Sequence, residues 1–279
     1  MLGILLASIG ALFEEISNSI GKRKVESREE SPYTMAFLSL FGGTVFLIAV
    51  SIIRNDFFVF RLESLPTFSI RAVLEIVQLY VTAFAIVRAD RSTFCFLRIL
   101  TIPLLLFVDA LLGYKLGFSG VIGISIIVLT MLVLFSRQEI KKAGAGFVIF
   151  SAVNAVFTIS LFKYDITHFN SVAAEQLFIY LILLATFFLF AFFRAEGNPC
   201  IFLTKPTFIL QSFSVGFGGL IESFAYNYGA ASLIVAAKRS AAIFWSLLSG
   251  RQYFGEKNII FKISVSFVLV VGLVFLAMN

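Results

Sequence analysis

Histidine occurs once in the 279 residues, tryptophan once, cysteine twice and proline five times, and only 14% of the chain is charged. Each scarcity removes a class of chemistry. The lone His168 has no metal-ligand neighbours and no nucleophile beside it, so neither a zinc site nor a histidine-assisted nucleophile is expected. Cys95 lies inside an apolar run far from Cys200, which argues against a disulfide framework. No HExxH segment, no pair of membrane aspartates and no phosphate-cradling loop occurs. The expectation is a protein that is not an enzyme and holds no cofactor or metal. The shortage of charge also excludes an ordinary soluble domain, which carries about 25% charged residues.

Apolar residues fill the space instead: 59% of the chain is hydrophobic, 35 residues are phenylalanine, and the mean hydropathy is +0.99. One helical crossing of a bilayer takes about 20 apolar residues. The clean runs are Met35–Ile53, Leu116–Ser136, Ala143–Phe162, Gln176–Phe193 and Ile263–Asn279. Leu2–Ile20, Ala72–Val87 and Ser92–Leu112 carry one or more charges each. The run Pro206–Gly250 is too long for one crossing and divides at Asn227, Tyr228 and Gly229. The first run lacks a basic leader and is followed at once by Glu14 and Glu15, so it reads as a crossing rather than a cleaved signal. The sum is an all-α integral membrane protein of ten transmembrane helices, its connections Gly21–Tyr33 and Arg54–Arg71 polar and mobile.

The stretches Tyr80–Leu134 and Phe224–Leu276 look like two versions of one pattern. Aligning Gly113 with Gly255 sets Tyr114 against Glu256 and Lys115 against Lys257, and brings Arg98 within one residue of Arg239. Five crossings per half is an odd number, so the halves, 1–138 and 139–279, must run oppositely through the membrane. That is the inverted-repeat arrangement of many secondary transporters.

Segments such as LYVTAFAIVRADRSTF, the mid-helix Pro103, and KRSAAIF with the following FGEK resemble the EamA-type repeat of the drug/metabolite transporter superfamily. The resemblance covers nearly the whole chain. It implies a monomer sufficient for transport of a small molecule by alternating access, in a plasma or inner membrane. The first half departs from the family pattern, with Tyr114 where the family has glutamate. Positive charge points the other way on orientation: the odd-numbered connections hold 14 Lys and Arg, the even-numbered ones 5. The positive-inside rule then places both termini outside, whereas the family places them in the cytoplasm.

Ionisable residues within a span are expensive and mark function or pairing. Arg239 shares a helical face with Ser232 and Ser246, and Lys238 is adjacent; this Lys-Arg pair resembles the anion-binding pair of sugar-phosphate translocators. Arg98 is the symmetry counterpart of Arg239. Glu222 and Tyr226 share a face with Gln211 and Gly218, and Gly216, Gly218 and Gly219 thin that helix for a close neighbour. Arg98, Glu222, Tyr226, Lys238 and Arg239 are therefore the expected substrate-binding residues. Glu15, in a context resembling the first helix of small multidrug-resistance proteins, is the expected proton-coupling residue. Glu75, with Arg71 four residues before it, reads as structural, Asn154 as an interhelical hydrogen bond, and Glu175 as solvated.

The leading expectation is a gradient-driven secondary transporter with an anionic or zwitterionic substrate. Its alternatives are a proton-coupled exporter of cationic drugs and a non-transporting scaffold or receptor. Lipid, a small substrate and protons are the expected partners, and nucleic acid is not.

Overall fold

The computed structural model describes residues 2–53, 58–111, 118–136, 142–229, 231–256 and 258–277, and within them the chain is helical with no strand. In hydrocarbon every backbone N–H and C=O must be satisfied within the chain, which leaves helices as the solution for these apolar runs. The helices are α1 (Leu2–Glu26), α2 (Pro32–Ile53), α3 (Leu65–Arg88), α4 (Arg91–Arg98), α5 (Thr101–Leu111) and α6 (Phe118–Ser136). After residue 138 come α7 (Ala145–His168), α8 (Val172–Ala191), α9 (Pro206–Ala225), α10 (Ala231–Phe254) and α11 (Ile259–Ala277). Among the described residues, 7 spans are long and apolar enough to cross a membrane: α1, α2, α3, α4 with α5, α7, α8 and α9. The chain is a helical membrane protein.

The Pro206–Gly250 run divides at Tyr226–Tyr228 as its turn residues predict. Ser92–Leu112 behaves differently from the single uninterrupted crossing that its apolar character suggests. Pro103 has no N–H to offer the Ile99 carbonyl, and its ring crowds that carbonyl. Ile99 instead accepts from Ile102 in a tightened turn at 2.9 Å, and the span breaks into α4 and α5 with Arg98 closing the first half.

The most extensive packing joins α1 with α9 and α10, α2 with α8 and α9, α3 with α7, and α6 with α11. Small residues allow it, as expected for α9. A Cβ on Gly10 would stand 2.8 Å from the Gly218 carbonyl oxygen, and one on Gly216 would collide with the backbone of Gly42 and Gly43. Between α3 and α7, Asn154 donates to Leu74 O and Gln78 Oε1, both at 2.9 Å, the interhelical role its polarity predicts.

The α1–α2 connection is not the free polar loop that Gly21–Tyr33 suggests. Helix α1 continues to Glu26, and Glu30 folds back to only 3% exposure, where Gln211 Nε2 donates to its Oε1 at 3.0 Å while Oε2 has no hydrogen-bond partner among the described residues. Burial pushes the Glu30 carboxyl up to about 8 from an ordinary 4.5, despite the opposing hydrogen bond. Between those values the folded chain keeps a proton that the unfolded chain releases, so stability falls as pH rises from 4.5 through 8. Melting temperature should therefore drop across this window, and Glu30→Gln should flatten the profile. An unchanged slope in Glu30→Gln would remove Glu30 as its source.

Candidate functional site

A cavity of about 260 Å³ lies among α1, α2, α3, α4, α8, α9 and α10. It sits deep in the bundle, since Glu14 is the midpoint of α1 and Lys238, Arg239, Glu75 and Tyr180 on its wall are all interior to their helices.

Most charges around it are engaged in pairs or triads, the Lys238 and Arg71 groups each holding two carboxylates to one cation. Lys238 Nζ donates to Glu14 Oε1 at 2.7 Å and to Glu222 Oε2 at 2.5 Å, tying α10 to α1 and α9. Arg91 grips Glu15 with two nitrogens, Nε to Oε1 at 3.1 Å and Nη2 to Oε2 at 2.5 Å. Ser19 and Ser249 add hydrogen bonds to Glu15 Oε1 at 2.9 and 2.5 Å. Arg71 donates to Glu175 at 2.7 Å and to Gln176 at 3.1 Å, its Nε lies 3.7 Å from Glu75, and the Phe162 ring covers it. Buried charges persist where such geometry satisfies them.

Arg98 and Arg239 are different. Both face the cavity, and among the described residues neither has a carboxylate within 4.0 Å or a hydrogen-bond partner for its buried Nε. Arg98 stacks at 5.4 Å over Phe94, and Arg239 is 6% exposed. One arginine comes from each half of the chain, at positions that the alignment of the halves brings within one residue of each other. The structure thus joins them on one wall, although 141 positions of sequence separate them (239 − 98).

Of the other expected substrate residues, Lys238 lines the cavity but is occupied by two carboxylates. Glu222 meets the site through Lys238. Tyr226 is buried at the end of α9 and is not part of the cavity lining, its ring edge-on to Phe162 at 5.5 Å and its carbonyl accepting from Lys163 at 2.8 Å. Glu15 reaches the cavity already held by Arg91 and two serines. Glu14 does point away from Glu15, as neighbours on a helix must, yet both carboxylates belong to the cavity wall.

Several side chains read as peripheral are internal. Glu175, expected in solvent, is fully buried on Arg71. Arg91, Lys22 and Lys262 on the odd connections, and Arg71 on the even ones, are all buried, so the tally of loop charge includes residues that face no headgroup. Lys262 and Ser92 converge on Glu256, which also accepts from the Ser92 backbone N–H at 3.3 Å and so places a carboxylate at the start of α4. Gly255 permits this turn with φ +61°. Its counterpart Gly113, with Tyr114, Lys115 and Lys257, lies outside the described residues.

No protein-family model matches the sequence, and no curated protein matches it. The chemistry of the cavity carries the functional argument.

Proposed function

We propose that the protein is a secondary active transporter that moves a small anionic or zwitterionic metabolite through this cavity by alternating access. The carrying observation is the pair of arginines, Arg98 and Arg239, which face the cavity and among the described residues have no carboxylate within 4.0 Å and no hydrogen-bond partner for a buried Nε. A guanidinium held at membrane depth with no carboxylate in contact, and only the longer-range field of Glu14 and Glu222, keeps part of its desolvation strain. A carboxylate or phosphate guest relieves that strain and matches the planar fork of donors. A volume of about 260 Å³ suits a metabolite of modest size, falling below the roughly 300–1,000 Å³ of drug-sized pockets.

The ten-crossing inverted repeat belongs to the same proposal, with α6, α10 and α11 as further crossings. Exchanging α1–α6 for α7–α11 maps the α1·α9 contact onto α7·α3, and α2·α9 onto α8·α3. The α2·α8, α4·α10 and α6·α11 contacts map onto themselves, which is what a two-fold relation requires. The broken α4–α5 span beside the site supports the reading, because transporters place discontinuous helices at their binding sites. The resemblance to the EamA repeat agrees with it. Export of cationic drugs is less well supported, since Glu15 is bound by Arg91 and Glu14 and Glu222 share Lys238.

The test is the melting temperature of detergent-purified protein with carboxylates, phosphates, amino acids and hydrophobic cations. Ligand at 100-fold its Kd stabilises by about 2.7 kcal/mol, several degrees for a chain of this size. Anions or zwitterions should raise the melting temperature. Stabilisation confined to hydrophobic cations would overturn the reading.

A further inference from the structure

A second concavity, of about 410 Å³, lies between α1, α9 and α10. Its rim carries large exposed apolar groups, Leu210 at 54%, Leu248 at 48% and Tyr253 at 53% exposure, so it faces the surroundings rather than the cavity. Along its length run Leu12, Ile16, Ile20 and Trp245. The back wall is polar but satisfied: Ser19 and Ser249 both donate to Glu15, whose charge is held by Arg91. An apolar chain can therefore pass over Glu15 without meeting a free charge.

One end is chemically distinct. Arg23, in the last turn of α1, lines the groove together with Gln252 and Tyr253 in the last turn of α10. Arg23 is exposed, and among the described residues it has no carboxylate within ion-pair distance. From Leu12 to Arg23 the helix rises about 16 Å, roughly half the ~30 Å hydrocarbon thickness and so one leaflet deep. A cation and a tyrosine at a helix end, above an apolar slot of leaflet depth, present the charge and shape of one class of ligand.

We infer that this groove seats an anionic phospholipid, its phosphate against Arg23, Gln252 and Tyr253 and one acyl chain running down past Ile16 to Trp245. The site stands independently of the substrate reading. Glu15 is shared by groove and cavity, so the Glu15–Arg91 pair is the partition between them.

Trp245 is the only tryptophan and lies in the groove, so its fluorescence reports occupancy directly. The full chain is reconstituted in bilayers containing phosphatidylglycerol or phosphatidylcholine with identical brominated acyl chains, which quench indole on contact. Brominated phosphatidylglycerol should compete for the groove about fivefold more effectively, the preference expected from one interfacial cation. Arg23→Gln, an exposed substitution that leaves the packing intact, should bring that preference to unity. Equal quenching by the two lipids, quenching by neither, or a preference indifferent to Arg23→Gln would overturn the proposal.

Discussion

Arg239→Ala is expected to abolish anion-induced stabilisation while leaving the protein folded. Among the described residues Arg239 is bonded to no carboxylate, so its removal strands no partner. It removes a buried cation that no carboxylate contacts, so the melting temperature without ligand should change far less than when a contact pair is broken. The loss appears only with ligand present. Truncating one partner of a buried, hydrogen-bonded charge pair costs about 2–5 kcal/mol, so affinity should fall by roughly 30-fold to several thousand-fold. Arg98→Ala should behave alike, and Arg239→Lys should retain only part of the affinity because an ammonium lacks the fork. Lys238→Ala is the contrasting variant. It leaves Glu14 and Glu222 facing each other without their shared cation, so it should destabilise the protein before any ligand is added. Equal behaviour of Arg239→Ala and Lys238→Ala in the ligand-free melt would contradict this division of roles.

Arg91→Ala is expected to cost about 3–5 kcal/mol of stability, the usual penalty for breaking a buried pair and leaving one charge behind. Arg91 is fully buried and doubly bonded to Glu15, itself 5% exposed. A melting-temperature drop on the order of 10 °C follows. Replacing both, Arg91→Leu with Glu15→Leu, should recover much of that loss, because no lone charge remains. The thermal melt of the single and double variants measures the coupling between the two positions. Near-additive losses would show that the two side chains do not act as a pair. Glu15→Gln discriminates a further point: a large loss of stability marks a structural carboxylate, whereas a stable protein with altered pH response marks a proton carrier.

Seven of the ten expected crossings are helices long and apolar enough to span, and these were legible because apolar run length is a local property. Tyr226–Tyr228 divided a long run for an equally local reason, a cluster of turn residues. The break at Ile99 was half visible: Pro103 marks the place, but the shape of the gap depends on which carbonyl the proline deprives of a donor. Pairing was not legible. Arg91 and Glu15 are 76 positions apart, Arg71 and Glu175 are 104 apart, and Lys238 and Glu14 are 224 apart. A helical wheel assigns a face to each residue without naming the helix opposite. Arg71 and Arg91 consequently looked like loop cations, and Glu175 like a solvated acid. Arg98 and Arg239 stood out only as charges in apolar runs. That among the described residues they meet no carboxylate, while Lys238 beside them meets two, is a property of the assembled bundle.

The most direct test of the central claim is transport itself. Purified protein in liposomes is exposed to inward gradients of small carboxylates, phosphates, amino acids and hydrophobic cations, and uptake is followed for the native chain and for Arg98→Gln with Arg239→Gln. The account predicts saturable uptake of at least one anion or zwitterion by the native protein and none by the double variant, which remains folded. Uptake that survives loss of both arginines, or uptake of hydrophobic cations alone, would contradict it.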